Sequence, residues 1–316
     1  MSIIHCASMS TGKDSVATAV LALETQPRES IRIAFADTGN EHELVYEHLD
    51  YLEGVLGLPI HRLRASFAME IARKSEYVLK HWSRKGVPDV DIERALKALV
   101  PTGNPYLDLC IWKGRFPSRT NQFCTQFLKT EPLMDYQLGL IEQGLCEAVW
   151  AWQGVRLDES QSRRTRLQGT GACVRHFDEV GAGIFNYRPI LRWTAADAFE
   201  AAELYGIRPN PLYRLGMSRV GCMPCINASK DEILEISKRF PGHIDRIEYW
   251  EFMVAQASKH QAASFFPDPD RDAHLNRRGI RNVVEWSKTR RGGQLMDFIR
   301  INEEPRACES AYGLCE

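Results

Sequence analysis

Ile3-Ile4-His5-Cys6-Ala7-Ser8-Met9-Ser10-Thr11-Gly12-Lys13-Asp14-Ser15 opens the chain with an apolar-rich run of strand length and a short polar turn. Val16, Ala17, Ala19, Val20, Leu21 and Leu23 follow at helical spacing. A change of period across one tight turn predicts strand, loop, helix. A second strand over 31–36 runs into Asp37-Thr38-Gly39-Asn40, and the next helix carries Leu44, Leu49, Leu52 and Leu56 on its apolar face. Pro59 to Leu63 supplies a third strand. Strands alternating with helices predict an α/β fold, a parallel doubly wound, Rossmann-like sheet with its ligand at the carboxyl ends of the strands.

Further along, residues 85–119 hold Gly86, Pro88, Pro101, Gly103, Pro105, Gly114 and Pro117, which suggests an irregular insertion or lid. A helix is expected to start near Asn121. Glu147 to Trp152 has the character of a core strand ending at Gly154, and Thr194 is placed to cap a helix over Ala195 to Tyr205. Beyond Pro209 the chain turns largely helical. The expected organisation is a nucleotide-binding α/β domain over 1–215, with the insertion, and a mainly helical region over 216–316 with a cysteine-bearing tail.

The 316 residues, 44% of them hydrophobic, can bury a large core close to the upper size for a single one. No stretch approaches the roughly 18 continuous apolar residues that span a membrane. The start lacks the basic and apolar regions of a signal peptide, so a cytoplasmic protein with no membrane partner is expected. A net charge of -1 leaves no global field to attract nucleic acid, so any such contact must use a local patch. In a reducing compartment, nine cysteines point to metal or sulfur chemistry rather than to disulfides.

Ser10-Thr11-Gly12-Lys13-Asp14-Ser15 combines what a phosphate requires: backbone N–H groups at a helix amino terminus, a glycine permitting close approach, hydroxyls and a cation. With a single glycine before the lysine it is not a Walker-type loop. The alternative is an ordinary strand-to-helix turn with a serine cap.

Several segments together resemble the phosphoadenosine phosphosulfate (PAPS) reductase and ATP pyrophosphatase superfamily, of the adenine nucleotide α-hydrolase fold. Ser-x-Gly-Lys-Asp-Ser follows the first strand and Ala36-Asp37-Thr38-Gly39 the second. Gly154-Val155-Arg156-Leu157-Asp158-Glu159-Ser160-Gln161-Ser162-Arg163 is similar to the family's G-x-R-x-D-E-x-x-S-R segment. Cys124, Lys129 and Pro132-Leu133 match a stretch of its reductase branch, and Arg188 to Tyr213 matches its R-P-I-x-x-W-T to P-N-P-L-Y passage. The resemblance implies that Ser10, Thr11, Gly12, Lys13 and Ser15 hold nucleotide phosphates and that Asp37, Thr38 and Gly39 lie beside adenine and ribose. Arg156 and Arg163 would grip phosphate oxygens, with Ser162 in the same segment. Asp14 and Asp158 are candidate magnesium ligands, or else solvated loop carboxylates.

Reductases of this family tend to lack the Lys-Asp-Ser ending of the loop, so Lys13-Asp14-Ser15 favours ATP with magnesium. The expected chemistry is ATP cleavage between the α- and β-phosphates, adenylating an acceptor for sulfur transfer, and Lys13 would stabilise the leaving pyrophosphate. The tail, Cys308-Glu309-Ser310-Ala311-Tyr312-Gly313-Leu314-Cys315-Glu316, has the ingredients of the reductases' Glu-Cys-Gly-Leu-His ending in a different order. Two other functions stand beside this one: a PAPS reductase with Cys315 as nucleophile, and a non-catalytic nucleotide-binding assembly subunit.

Cys222 and Cys225 form a C-x-x-C pair, and with Cys124 and a tail cysteine they would suit a four-iron four-sulfur cluster or a tetrahedral zinc. The resemblance favours the 4Fe-4S cluster on Cys124, Cys222, Cys225 and Cys315, with Cys308 the rival fourth ligand. A redox pair is the third option. Cys6, Cys110, Cys146 and Cys173 are expected to be buried small hydrophobes. The histidines are scattered without ligand spacing. Between Asn276 and Arg291, Arg277, Arg278, Arg281, Lys288, Arg290 and Arg291 surround Trp286 with one acid, Glu285. That segment is a candidate contact for a nucleic-acid acceptor, or a solvated helix face with Trp286 in the core. A partner protein or sulfur donor is also expected.

Overall fold

Strand β1 (Ile3–Met9) is buried along most of its length, as an apolar strand covered on both faces should be. In the computed structural model of the chain, which describes residues 2–158, 165, 177–267 and 279–290, β1 stands inside a six-stranded sheet of order β3-β2-β1-β4-β6-β5. β2 (Ile31–Asp37), β3 (Ile60–Arg64), β4 (Ala148–Trp152) and β6 (Ile184–Tyr187) are joined by parallel pairings, and β5 (Phe177–Gly181) closes the edge antiparallel to β6. The parallel doubly wound sheet expected from the sequence is therefore present. The β5-β6 hairpin was not foreseen, because four or five residues are too few to show a period. The chain leaves β1 toward β2 on one side and returns as β4 on the other. Strand order reverses there, which opens a crevice at the carboxyl ends of β1 and β4.

Alternation along β1 sends side chains to two separate layers. Ile4 and Cys6 join Val149, Ala151 and Ile184 against Leu140 of α7 (Glu131–Glu142). Ala7 and Met9 join Ile33 and Phe35 against α1 (Lys13–Thr25) and α2 (Glu43–Leu56) through Val16, Val20, Leu49 and Leu52. Each such fully buried aliphatic side chain contributes about 1.5–3 kcal/mol of transfer free energy. Helix α8 (Ala195–Leu204) packs beside α1 and begins at a complete capping box of Thr194 and Asp197, as the sequence suggested.

The segment 85–119, expected to be irregular, is largely helical. After α3 (Ala68–His81) come α4 (Asp89–Ala98) and α5 (Pro105–Lys113), and Pro105 through Ile111 are all buried. Several of the prolines and glycines sit at helix ends: Pro88 precedes α4, Pro105 takes the first turn of α5 behind the Asn104 cap, and Gly114 ends α5 at φ 67°. A single helical turn, α6 (Phe123–Thr125), then runs through a π-helical turn into α7, which matches a helix start near Asn121.

Helices α9 (Lys230–Arg239), α10 (Pro241–Ala257) and α11 (Ile280–Ser287) bear out the helical character expected beyond Pro209. Among the described residues they share the core of the sheet domain. One cluster of buried residues extends from Ala7 to Val284, and α10 lies against α4 and α5. Among the described residues no helix is long and apolar enough to cross a membrane. Cys6, Cys110 and Cys146 are buried, as expected for small hydrophobes, whereas Cys173 lies outside the described residues.

Gly154, after β4, presses on the first turn of α1. A Cβ there would stand 2.8 Å from the carbonyl oxygen of Asp14 and 2.9 Å from its carbonyl carbon. Neither backbone atom can swing aside. Gly154→Ala is expected to destabilise the fold by about 1–3 kcal/mol in urea unfolding, as overpacking does. Gly54→Ala, in α2 with nothing within 4 Å, should be neutral or stabilising by up to about 1 kcal/mol. Equal effects would contradict the close approach.

His48 of α2 is buried, its Nε2 has no partner, and burial followed by the nearby Arg208 lowers its pKa to about 4. An unfolded chain would protonate it near pH 6.5. Its contribution to stability is therefore full above that value and lost as pH falls toward 4. The urea midpoint of the protein should drop across this window, and His48→Leu should make the drop shallower.

Candidate functional site

The phosphate loop is shaped from within and from a distance. The Ser15 hydroxyl accepts from the amide of Ser10 at 3.1 Å and donates to the carbonyl of Gly12 at 2.9 Å, so it pins both ends of the turn. Thr11 holds φ 61°, a left-handed conformation uncommon for a residue with a Cβ. Its buried hydroxyl accepts from Asn210 Nδ2 at 3.0 Å. The amide of Lys13 donates to the Tyr213 hydroxyl at 3.0 Å, and Lys13 Nζ stands 5.6 Å from the centre of that ring. Of the groups expected to face phosphate, Ser15 Oγ and the amides of Ser10 and Lys13 are thus engaged within the protein. Asn210 and Tyr213 had no role assigned from sequence, although their P-N-P-L-Y segment stood out.

Lys13 is largely buried, and desolvation lowers its pKa against the opposing pull of Asp14, whose Oδ2 is 3.9 Å away. Arg156, only 2% exposed, lines the cleft and is engaged by two carboxylates. Nε donates to Asp14 and one terminal nitrogen donates to Asp158. One buried guanidinium thus draws together two carboxylates from segments on either side of the strand-order reversal, and both line the cleft. Asp14 and Asp158 are therefore both paired with Arg156. Arg163 and Ser162 lie outside the described residues.

The turn after β2 faces inward. Asp37 accepts from the Gly39 amide and from Tyr46, and Thr38, 1% exposed, donates to Glu41 Oε1 at 2.7 Å. Gly39 needs its φ of 74°, and a Cβ there would meet Asn104 and Pro105 at 2.9 Å. The cleft wall at this strand end is formed instead by Phe35, Ala36 and Glu41. The whole cleft, of about 1390 Å³, lies at the carboxyl ends of β1, β2 and β4 and contains Ser10, Gly12, Lys13, Asp14 and Ser15.

Behind the turn, Glu41 pairs with Cys222 in an antiparallel bridge, the Met223 amide donates to Asn40 O at 2.8 Å, and Asn40 Nδ2 donates to Pro224 O at 3.0 Å. Arg246 adds bonds to Asn40 Oδ1 and Met223 O. This lacing brings Cys222 and Cys225 toward Cys124: Cys225 interacts electrostatically with both, and the ammonium of Lys129 interacts with all three. Burial, then the carboxylate of Glu41, push the Cys222 thiol up to about 12, with Lys129 pulling the other way. Three half-buried thiols are donors of the kind an iron-sulfur cluster takes as thiolates, with release of their protons, although their sulfurs do not all lie within 4.8 Å of one another as the ligand atoms of one metal ion would. Cys315 and Cys308 lie outside the described residues.

The histidines are not all scattered in space. His42 and His243 stack at 4.8 Å with Glu43 beside them, and their ligand atoms lie within 4.8 Å of one another. Two helix amino termini and Arg246 converge there, an electrostatic setting that opposes a cation and leaves both imidazoles with lowered pKa values, desolvation being the largest cause.

In the basic segment, Arg281 is bound to Asp245 and Glu248 of α10, Lys288 to Glu285, and Trp286 packs partly buried against the core with Lys230 over its ring. The described part is thus an ion-paired helix face with Trp286 against the core. Arg277, Arg278 and Arg291 lie outside it.

The model of the phosphoadenosine phosphosulfate reductase domain matches residues 4–100 and 108–228, more than half of the chain. An uncharacterised 37.8 kDa protein of Escherichia phage 186 is 40% identical across all of this chain and 97% of its own length. An adenosine 5'-phosphosulfate reductase of Neisseria meningitidis is 30% identical over 122 residues, 37% of this chain and 44% of that enzyme. The crystal structure of a PAPS reductase from Candida auris covers 71% of this chain and 83% of its own, at 16% identity and a TM-score of 0.41. A cleft at the strand-order reversal, a serine-pinned loop at the start of α1 and the matched domain place this chain in the phosphoadenosine phosphosulfate reductase family, whose members act on nucleotides in sulfur metabolism.

Proposed function

We propose that the protein is an ATP pyrophosphatase of this family that adenylates an acceptor for sulfur transfer, with a nucleic acid as the acceptor class. The observation that carries this is Lys13, a desolvated cation set in the cleft between the loop and the carboxylate pair of Asp14 and Asp158. A triphosphate presents more negative charge than a sulfonucleotide at that position. An acceptor oxygen attacks the α-phosphorus, the α,β-bridging bond breaks, and pyrophosphate leaves. Lys13 stabilises the charge that develops on the leaving group, inside a cleft where water screens it little. A sulfur nucleophile from a donor then forms its bond to the acceptor as the acceptor–oxygen bond breaks and AMP departs. Arg156 holds Asp14 and Asp158 in position, and these would hold magnesium, which supplies charge neutralisation for the phosphates. Cys124, Cys222 and Cys225 would hold a 4Fe-4S cluster, which supplies redox or sulfur chemistry when bound.

Magnesium-ATP is expected to raise the melting temperature more than PAPS does, because stabilisation follows ligand affinity. Lys13→Ala should erase that difference, and pyrophosphate release should accompany ATP and not PAPS. Stronger stabilisation by PAPS would put a sulfonucleotide reductase first.

Protein purified anaerobically should be brown and contain iron and acid-labile sulfide. Cys124→Ala, Cys222→Ala and Cys225→Ala should each bleach it, and Cys6→Ala should not. Colourless protein with one tightly bound zinc would make the thiols a structural clamp.

A further inference from the structure

The nucleotide cleft is larger than one nucleotide requires. Its volume of about 1390 Å³ exceeds the roughly 300–1,000 Å³ of ordinary small-ligand pockets. Beyond the phosphate loop it is lined by a second group of side chains, Arg119, Gln122, Lys129, Arg219, Asn227 and Glu232. Three of these are cations, and they come from two segments about a hundred positions apart.

Arg119 and Arg219 converge on one place, the entry to α9. A terminal nitrogen of Arg119 donates to Ala228 O at 2.9 Å, one residue before the Ser229 cap. Arg219 Nε lies 3.3 Å from Glu232 Oε1 in the first turn. Each side chain is therefore held along one edge, which limits the rotamer freedom it would lose on gripping a ligand. The single acid in this group is already committed: Glu232 accepts from the Ser229 amide at 2.8 Å and from Ser218 Oγ at 2.9 Å, in addition to Arg219. Lys129 lines the same cleft and also interacts with the thiols. The net character of the region is cationic, and it is contiguous with the phosphate loop, since Val220, next to Arg219, comes within 4.0 Å of a Cβ built on Gly12.

We propose that Arg119 and Arg219 form a second anion subsite in the cleft, distinct from Lys13 and the loop, which takes a phosphate ester of the acceptor. Guanidinium groups match phosphate oxygens in pairs, whereas a lysine offers only a point charge. The proposal rests on the adenylation reading, since it supplies the second substrate that reading requires. It also relocates the acceptor contact from the Arg277 to Arg291 segment, where Arg281 is already paired with two acids, to the cleft itself.

The test uses the full-length protein with magnesium and a non-hydrolysable ATP analogue. The probe is a fluorescein-labelled single-stranded 12-nucleotide DNA. Arg119→Gln/Arg219→Gln should weaken binding about tenfold or more at low salt. It should also make the salt slope shallower by about 1.4 units, because each contact to a single strand releases roughly 0.7 counterion. Lys80→Gln/Lys97→Gln, exposed and remote, should leave the slope unchanged. Ribose 5-phosphate, titrated by calorimetry, separates the two sources of a phosphate ester. Binding of that sugar, lost in the arginine variant and unaccompanied by DNA binding, keeps the subsite and assigns it to a small phosphorylated substrate. Equal binding of both probes by the two proteins, or binding of neither by the wild type, overturns the proposal. The melting shift with magnesium-ATP reads the nucleotide site separately. The arginine variant should retain it, and Arg219→Lys should restore part of the DNA affinity. A wild type without that shift but with arginine-dependent probe binding would remove the ATP reading and leave the subsite.

Discussion

Everything at the candidate site depends on how the backbone at Thr11 is held. A left-handed conformation at a threonine is unfavourable, and strain of this kind persists only when surrounding contacts over-determine it. Here those contacts are the Asn210 amide on the Thr11 hydroxyl, the Tyr213 hydroxyl on the Lys13 amide, and the Ser15 hydroxyl bridging Ser10 and Gly12. Gly154 allows the β4 loop to lie against the same turn. The position of Lys13 is the sum of these constraints, so the loop is a tertiary structure and not merely a local motif.

That distinction explains what was legible in the sequence. The β-α-β-α-β series showed itself because Ile3 to Ala7, Ile31 to Ala36 and the leucines of α2 have clear periods, and Thr194 announced its helix by chemistry. The loop at Ser10 to Ser15 was equally plain. The roles of its members were not, because a hydrogen bond from Asn210 to Thr11 has no signature in either segment alone. Arg156 is the sharpest instance: an arginine beside a phosphate loop suggests a phosphate ligand, yet the fold places two carboxylates within its reach. α4 and α5 were obscured for a different reason. Proline and glycine cap helices as readily as they interrupt them, and composition alone does not separate the two uses.

The thiols follow the same logic. C-x-x-C is visible in sequence, but its approach to Cys124 depends on the lacing of Asn40 and Glu41 to the Cys222–Pro224 segment, with Arg246 reinforcing it. Thr38 completes the link, since its hydroxyl lies 3.3 Å from Cys222 Sγ while also donating to Glu41. The strand end that borders the nucleotide cleft and the loop that carries the thiols are thus one hydrogen-bonded unit. A change at either is felt at the other through a few bonds, without any long-range path.

The partners that hold the phosphate loop lie 199 and 200 positions away along the chain. During synthesis the amino-terminal strands emerge from the ribosome long before Asn210 and Tyr213 exist. The loop at that stage lacks the bonds that stabilise Thr11 and orient the start of α1. A nucleotide therefore has no finished site to nucleate around while the first half of the chain is folding. The finished loop therefore requires the passage behind α8 to have reached it.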